Sequence, residues 1–204
     1  MIFGRGKKQR KDKTEGKVPG EEKLIVTDGA EELAAKIPPE KKEQELVAFY
    51  GFSAKIPNDA RIEFNPKSRR DKGDLVFHLQ GGYKIFLSWG PLQDARKRFK
   101  TAAEQAKESV QRSVRSSMAK LDGEPRTEEL KIQDHDAAYT RARMWIERGA
   151  FFMGKRRITQ DTIALHLHCE DADRYYVVYA FGRPEVSDEI RRNFEPIMRS
   201  LKCH

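Results

Sequence analysis

His166, His168 and Cys169 fall together in the stretch "ALHLHCED" at 164–171, and the last two residues are Cys203 and His204. Imidazole and thiolate are zinc ligands, and a His-x-His pair on one strand offers two of them from one face. Strand geometry turns Cys169 the other way, in line with Ile163, Leu165 and Leu167, where a thiol serves as a small buried hydrophobe. A third ligand would have to come from His78, His135, His204 or a carboxylate, and none stands at a recognised metal-site spacing. The metal candidates are therefore His166 and His168 alone. The stretch reads first as a central strand, with no metal centre and no cofactor implied.

Other chemistry is thinner. No Gly-x-Ser-x-Gly elbow is present, and neither cysteine sits in a catalytic signature. "GRGKK" at 4–8 lacks the spacing and the preceding strand of a phosphate-binding loop. Ser88-Trp89-Gly90 is a strand end, and the acid pairs Glu31-Glu32 and Glu128-Glu129 lie in polar surroundings. With no nucleophile, base and orienting acid in a recognisable pattern, the chain is expected not to be an enzyme.

Charge says more. The formal net charge is +8, which favours an anionic partner. Arg5, Lys7, Lys8, Arg10, Lys11 and Lys13 crowd the first residues, and Arg96, Lys97 and Lys100 open a basic helical stretch that continues through Arg98, Lys107, Arg112, Arg115 and Lys120. These nine residues of the tail and helix start are the candidates for holding an acidic protein or complex surface. Nucleic acid is the alternative, through salt-sensitive phosphate contacts, although no RNP or zinc-finger motif is present. "MIF" before the basic run could touch an anionic membrane only transiently. No apolar run reaches the roughly 18 residues of a membrane span. The amino terminus does not read as a secretory signal, and Ile2 excludes myristoylation as encoded. The expected location is cytoplasmic, with Cys169 and Cys203 as free thiols.

The elements that must carry these residues follow from hydrophobic period. Residues 1–23 are rich in Lys, Arg and Gly and read as a disordered tail, and 24–45 as a short helical lead-in around Ala30–Lys36 that Pro38-Pro39 ends. The packed body is expected over 46–204. "LVAFYGFSAKIP" reads as a strand, followed by strands at "ARIEF", "DLVFHLQ" and "YKIFLSW", the last two joined at Gly81-Gly82 in a hairpin. From Leu92 to Leu121 a three- and four-residue apolar period predicts one long amphipathic helix, stopped by Gly123 and Pro125. "EELKIQD" pairs with "DAAYTRARMWIER", and "RITQDTIALHLHC" with "RYYVVYAFG". A closing helix runs over "SDEIRRNFEPIMRSLKCH", capped by Ser187 or Asp188 and kinked or broken at Pro196.

Strands joined by hairpins give an antiparallel sheet. "YYVVYAF" is apolar on both faces, so helices are expected on both sides: an α+β chain folded as an α/β/α sandwich. The three tyrosines of that strand are expected to pack in the core. "FYGFSAKIP" (49–57), "HDAAYTRARM" (135–144) and "FEPIMRSL" (194–201) resemble the first core strand, the strand after the long helix, and the closing helix of the PsbP-like superfamily. The resemblance spans about 46–202. It implies the α/β/α sandwich and binding, scaffold or assembly roles, with no shared catalytic set to carry over.

Overall fold

The computed structural model describes residues 44–49, 51–149 and 156–203, within a compact unit bounded as Lys42–His204. The tail, the lead-in helix and His204 lie outside the described residues. Ten strands run in chain order: β1 (Gln44–Phe49), β2 (Phe52–Pro57), β3 (Arg61–Phe64), β4 (Gly73–His78), β5 (Lys84–Pro91), β6 (Lys120–Leu121), β7 (Arg126–Ile132), β8 (His135–Arg148), β9 (Arg156–Cys169) and β10 (Arg174–Gly182). Helices α1 (Leu92–Arg96) and α2 (Ala102–Ser117) follow β5, and α3 (Ser187–Ser200) follows β10.

The main sheet is antiparallel in the order β3-β4-β5-β10-β9-β8, with β7 and β6 pairing along different stretches of the outer edge of β8. Short turns join most neighbours. Gly81 and Gly82 have φ of 86° and 79°, the left-handed values that a tight hairpin needs and that glycine adopts without steric cost. The expected first strand is instead a hairpin. Gly51 at φ 80° reverses the chain between β1 and β2, and Leu46 pairs with Lys55 across it.

Strand parity sorts the side chains into two layers. One face carries Leu75, Leu87, Val178, Leu165, Leu167 and Ala137, and packs against β2 and α3 through Phe52, Ile56, Ile190, Phe194, Ile197 and Leu201. The other face carries Ala138, which meets Ala102, Ala103 and Ala106 of α2. These small side chains let the helix backbone come close to the sheet. Helices on both faces make the α/β/α sandwich, as the alternation predicts.

The single long helix is a correction. The chain breaks between Arg96 and Ala102 because Thr101 caps α2 in a variant of the capping box: Thr101 Oγ1 accepts from Glu104 N–H at 3.2 Å, and Glu104 Oε2 reaches one residue past the cap to accept from Lys100 N–H at 2.7 Å. Asp136 of β8 takes the next orphan amide, Ala102 N–H, at 2.7 Å. The helix also ends early. Met118 takes the left-handed position at φ 54°, with Ala119 N–H bonded back to Val114 O, while Gly123 (φ 92°) serves the turn between β6 and β7. Met118 is left 88% exposed and Leu121 is on the surface, so the apolar stripe buries only its first half. In α3, Val186 stands at the cap position with no side-chain bond, and the helix runs through Pro196 unbroken.

Candidate functional site

The seam between α2 and the sheet gathers the polar groups. His166 and His168 are both 1% exposed, and both point toward α2. His166 Nε2 lies 3.1 Å from Ser109 Oγ, and Ser109 donates its own proton to Gln105 O at 2.8 Å. The serine oxygen must then accept, so His166 carries its proton on Nε2. His168 Nε2 lies 2.7 Å from the amide oxygen of Gln105, which fixes the same tautomer. Among the described residues neither Nδ1 has a hydrogen-bond partner, and the nearest acid to His168 Nδ1 is Asp136 Oδ2 at 4.0 Å.

Electrostatics follows from this geometry. Burial, with His168 adding repulsion, pushes the His166 imidazole down from 6.5 to about 4. Burial also lowers His168, against an opposing pull from Asp136. Both rings are neutral at physiological pH. Ser109 beside His166 has the pairing of a nucleophile and its base, but no described carboxylate sits on His166 Nδ1 to stabilise the imidazolium that proton transfer would create. A base held near 4 is also poorly matched to chemistry at neutral pH. The seam is thus well built for holding α2 on the sheet and poorly built for acyl transfer.

His166 and His168 do share one face and Cys169 the other, as strand parity requires. Among the described residues no third His, Cys, Asp or Glu ligand atom closes on the two histidines. Gln105 and Ser109, which engage them, escaped the sequence reading. Their signal is two polar residues four apart on the same helix stripe as Ala102 and Ala106.

Beside the seam the described part of this sheet face is half-buried to exposed. Helix α2 covers β8, β9 and β7, and α1 lies over one end of β5 and β10. The rest of this face carries a ladder of stacked rings: Phe86 stands 4.9 Å from Tyr179 and 5.4 Å from Phe181, each at 9° between planes. Phe181 is 43% exposed, and Phe86 and Tyr179 are half-buried. Of the three tyrosines expected in the core, only Tyr176 is fully buried. A groove of about 260 Å³ runs between this ladder and α2, lined by Val110, Ser113, Met144, His166, Val177 and Tyr179.

The basic candidates divide. Arg5, Lys7, Lys8, Arg10, Lys11 and Lys13 lie outside the described residues. Arg96 pairs with Glu170, and Lys97 with Asp94 at 3.1 Å. Lys100 is exposed at the turn into α2 and, like Arg98 and Lys107, carries no ion pair among the described residues. From Leu92 to Ser117 there are seven basic residues against three acidic. A second polar cleft, by Asp122, Arg126, Arg143 and Asp161, is neutralised internally. Arg143 clamps Asp161 through two bonds of 2.6 and 2.9 Å, and this contact holds the Asp161 carboxyl below its usual range. No described helix is long and apolar enough to cross a membrane.

Neither a protein-family model nor a curated protein matches the sequence. Structural similarity is clear where sequence similarity is not. The solution structure of cyanobacterial PsbP (CyanoP) from Synechocystis sp. PCC 6803 matches with a TM-score of 0.53 and 11% identity, over 79% of this chain and 92% of that one. A crystal structure from Bacteroides thetaiotaomicron matches with a TM-score of 0.41 and 13% identity, over 80% of this chain and 48% of that one. A Pseudomonas aeruginosa protein of unknown function matches with a TM-score of 0.37 and 11% identity, over 77% and 94%. The sandwich of this chain is therefore PsbP-like, and the likeness to cyanobacterial PsbP is one of fold.

Proposed function

We propose that this chain is a non-enzymatic binding or assembly protein that docks an acidic protein surface on the α2 side of its sheet. Two observations support the reading: the exposed or half-buried rings of Phe86, Tyr179 and Phe181 on the sheet face that α2 partly covers, and the net-positive stretch from Leu92 to Ser117 that supplies the helices of that face. Stacked rings and basic residues on one side of a sheet suit a partner that presents apolar and acidic groups: aromatic residues anchor such contacts, and charge steers encounter. Arg98, Lys100 and Lys107 would supply the charge, and Arg5, Lys7, Lys8, Arg10, Lys11 and Lys13 would add to the protein's positive charge in a cytoplasmic setting. The PsbP-like fold agrees with such a role without specifying it.

The test is affinity purification from native cells with the full chain and with R98E/K100E/K107E. A specific acidic protein retained by the wild type, released by salt and lost in the variant supports the reading. Failure to retain any protein, or equal retention by the variant, refutes it. A second reading has its own observation, because stacked rings on a sheet face also suit unpaired bases. Recovery that disappears after nuclease treatment would favour that reading.

A further inference from the structure

The two cysteines, far apart in sequence, meet at the opposite face of the sheet. Cys169 is the last residue of β9. Asp136 pairs with His168, so His135, the first residue of β8, stands level with Cys169 and shares its face with Ala137 and Tyr139. Cys203 reaches the same place from the end of α3. Lys202 forms two backbone bonds of 2.8 Å with Ser53 of β2, and Gln133 Oε1 in the β7–β8 turn accepts from Cys203 N–H at 3.3 Å. The Cys169 thiol donates to Cys203 O at 3.8 Å. One donor atom from each of His135, Cys169 and Cys203 lies within 4.8 Å of the others, and all three residues are buried.

We propose that His135, Cys169 and Cys203 bind one zinc ion, with the Asp171 carboxylate at hand for the fourth position. Two thiolates and an imidazole are a zinc donor set, and bonds of about 2.3 and 2.0 Å put tetrahedral donors about 3.5–3.8 Å apart, a small contraction from the arrangement seen. Asp171 Oδ2 lies 3.7 Å from His135 Nε2 and reaches the rim from solvent. Charge favours a divalent ion: two thiolates cancel it within the buried part of the centre, and the one further negative charge, on Asp171, stays at the exposed rim where water solvates it. Each thiol gives up its proton on binding, so one zinc displaces two protons. The ion would pin the chain after α3 to the ends of β8 and β9. This centre lies on the α3 side of the sheet, and its failure would leave the docking surface on the α2 side untouched.

The test uses untagged full-length protein, reduced, stripped with chelator and titrated anaerobically with cobalt and then zinc. One equivalent of cobalt should give tetrahedral visible bands and thiolate charge-transfer absorption, bleached by one equivalent of zinc. Cys203→Ser should halve the charge-transfer intensity, and Cys169→Ser likewise, while His78→Ala changes nothing. As a second readout, zinc should raise the Tm of the wild type and slow amide exchange at Lys202. No tetrahedral cobalt spectrum, one indifferent to both serine variants, binding of cuprous copper alone, or a Tm unmoved by zinc would overturn the assignment.

Discussion

Acid should loosen the seam between α2 and the sheet, and His166 sets the size of the effect. The unfolded chain takes up a proton on this residue at its ordinary value of 6.5, while the folded chain resists until about 4. A group whose folded value is depressed contributes stability that is complete above the unfolded value and is lost as pH falls toward the folded one. At about 1.4 kcal/mol per pH unit, the loss for His166 between pH 6.5 and 4 is about 3 kcal/mol. His168 shifts in the same direction and adds to it. The assay is urea unfolding of wild type and His166→Gln at a series of pH values from 7.5 to 4. Glutamine can still donate to Ser109 but does not titrate, and the carboxylates common to both proteins cancel in the difference. The variant should be less stable at pH 7.5, and its deficit should shrink by about 3 kcal/mol on reaching pH 4. Parallel stability curves for the two proteins would refute the picture of a neutral imidazole locked under α2.

Three further perturbations probe the frame. Thr101→Ala removes the side-chain half of the capping box and should cost about 1 kcal/mol in urea unfolding, with the loss confined to helix α2 in amide exchange. Phe194 of α3 is fully buried against Tyr139 across the core, and Phe194→Ala should cost about 3–5 kcal/mol. A methyl added at Gly182 would stand 2.4 Å from Ile190 Cδ1. Gly182→Ala should therefore cost about 1–3 kcal/mol by overpacking, and Ile190→Val should recover part of the lost Tm.

Much of the frame is written in local pattern. Ile163, Leu165, Leu167 and Cys169 alternate against Ala164, His166 and His168, and the strand buries them on opposite faces as period two demands. The Gly81-Gly82 hairpin is equally plain. The break before α2 was also legible, because Thr101-x-x-Glu104 is a capping signature, yet the apolar period through Phe99 masked it. Other features depend on tertiary pairing. The Phe86-Tyr179-Phe181 ladder exists because β10 pairs with β5, and β5 lies almost ninety residues earlier in the chain. Cys203 meets Cys169 only because Lys202 joins the backbone of Ser53. No local spacing rule could bring those residues together.

The docking surface itself is tested most directly by a photo-crosslinking residue placed at Phe181, with a second placed at exposed Arg199 of α3, on the opposite side of the sheet, as control. In native cells the probe at 181 should yield a discrete crosslinked protein that resists nuclease and disappears when R98E/K100E/K107E is added. No product from position 181, or the same product from both positions, would contradict the account.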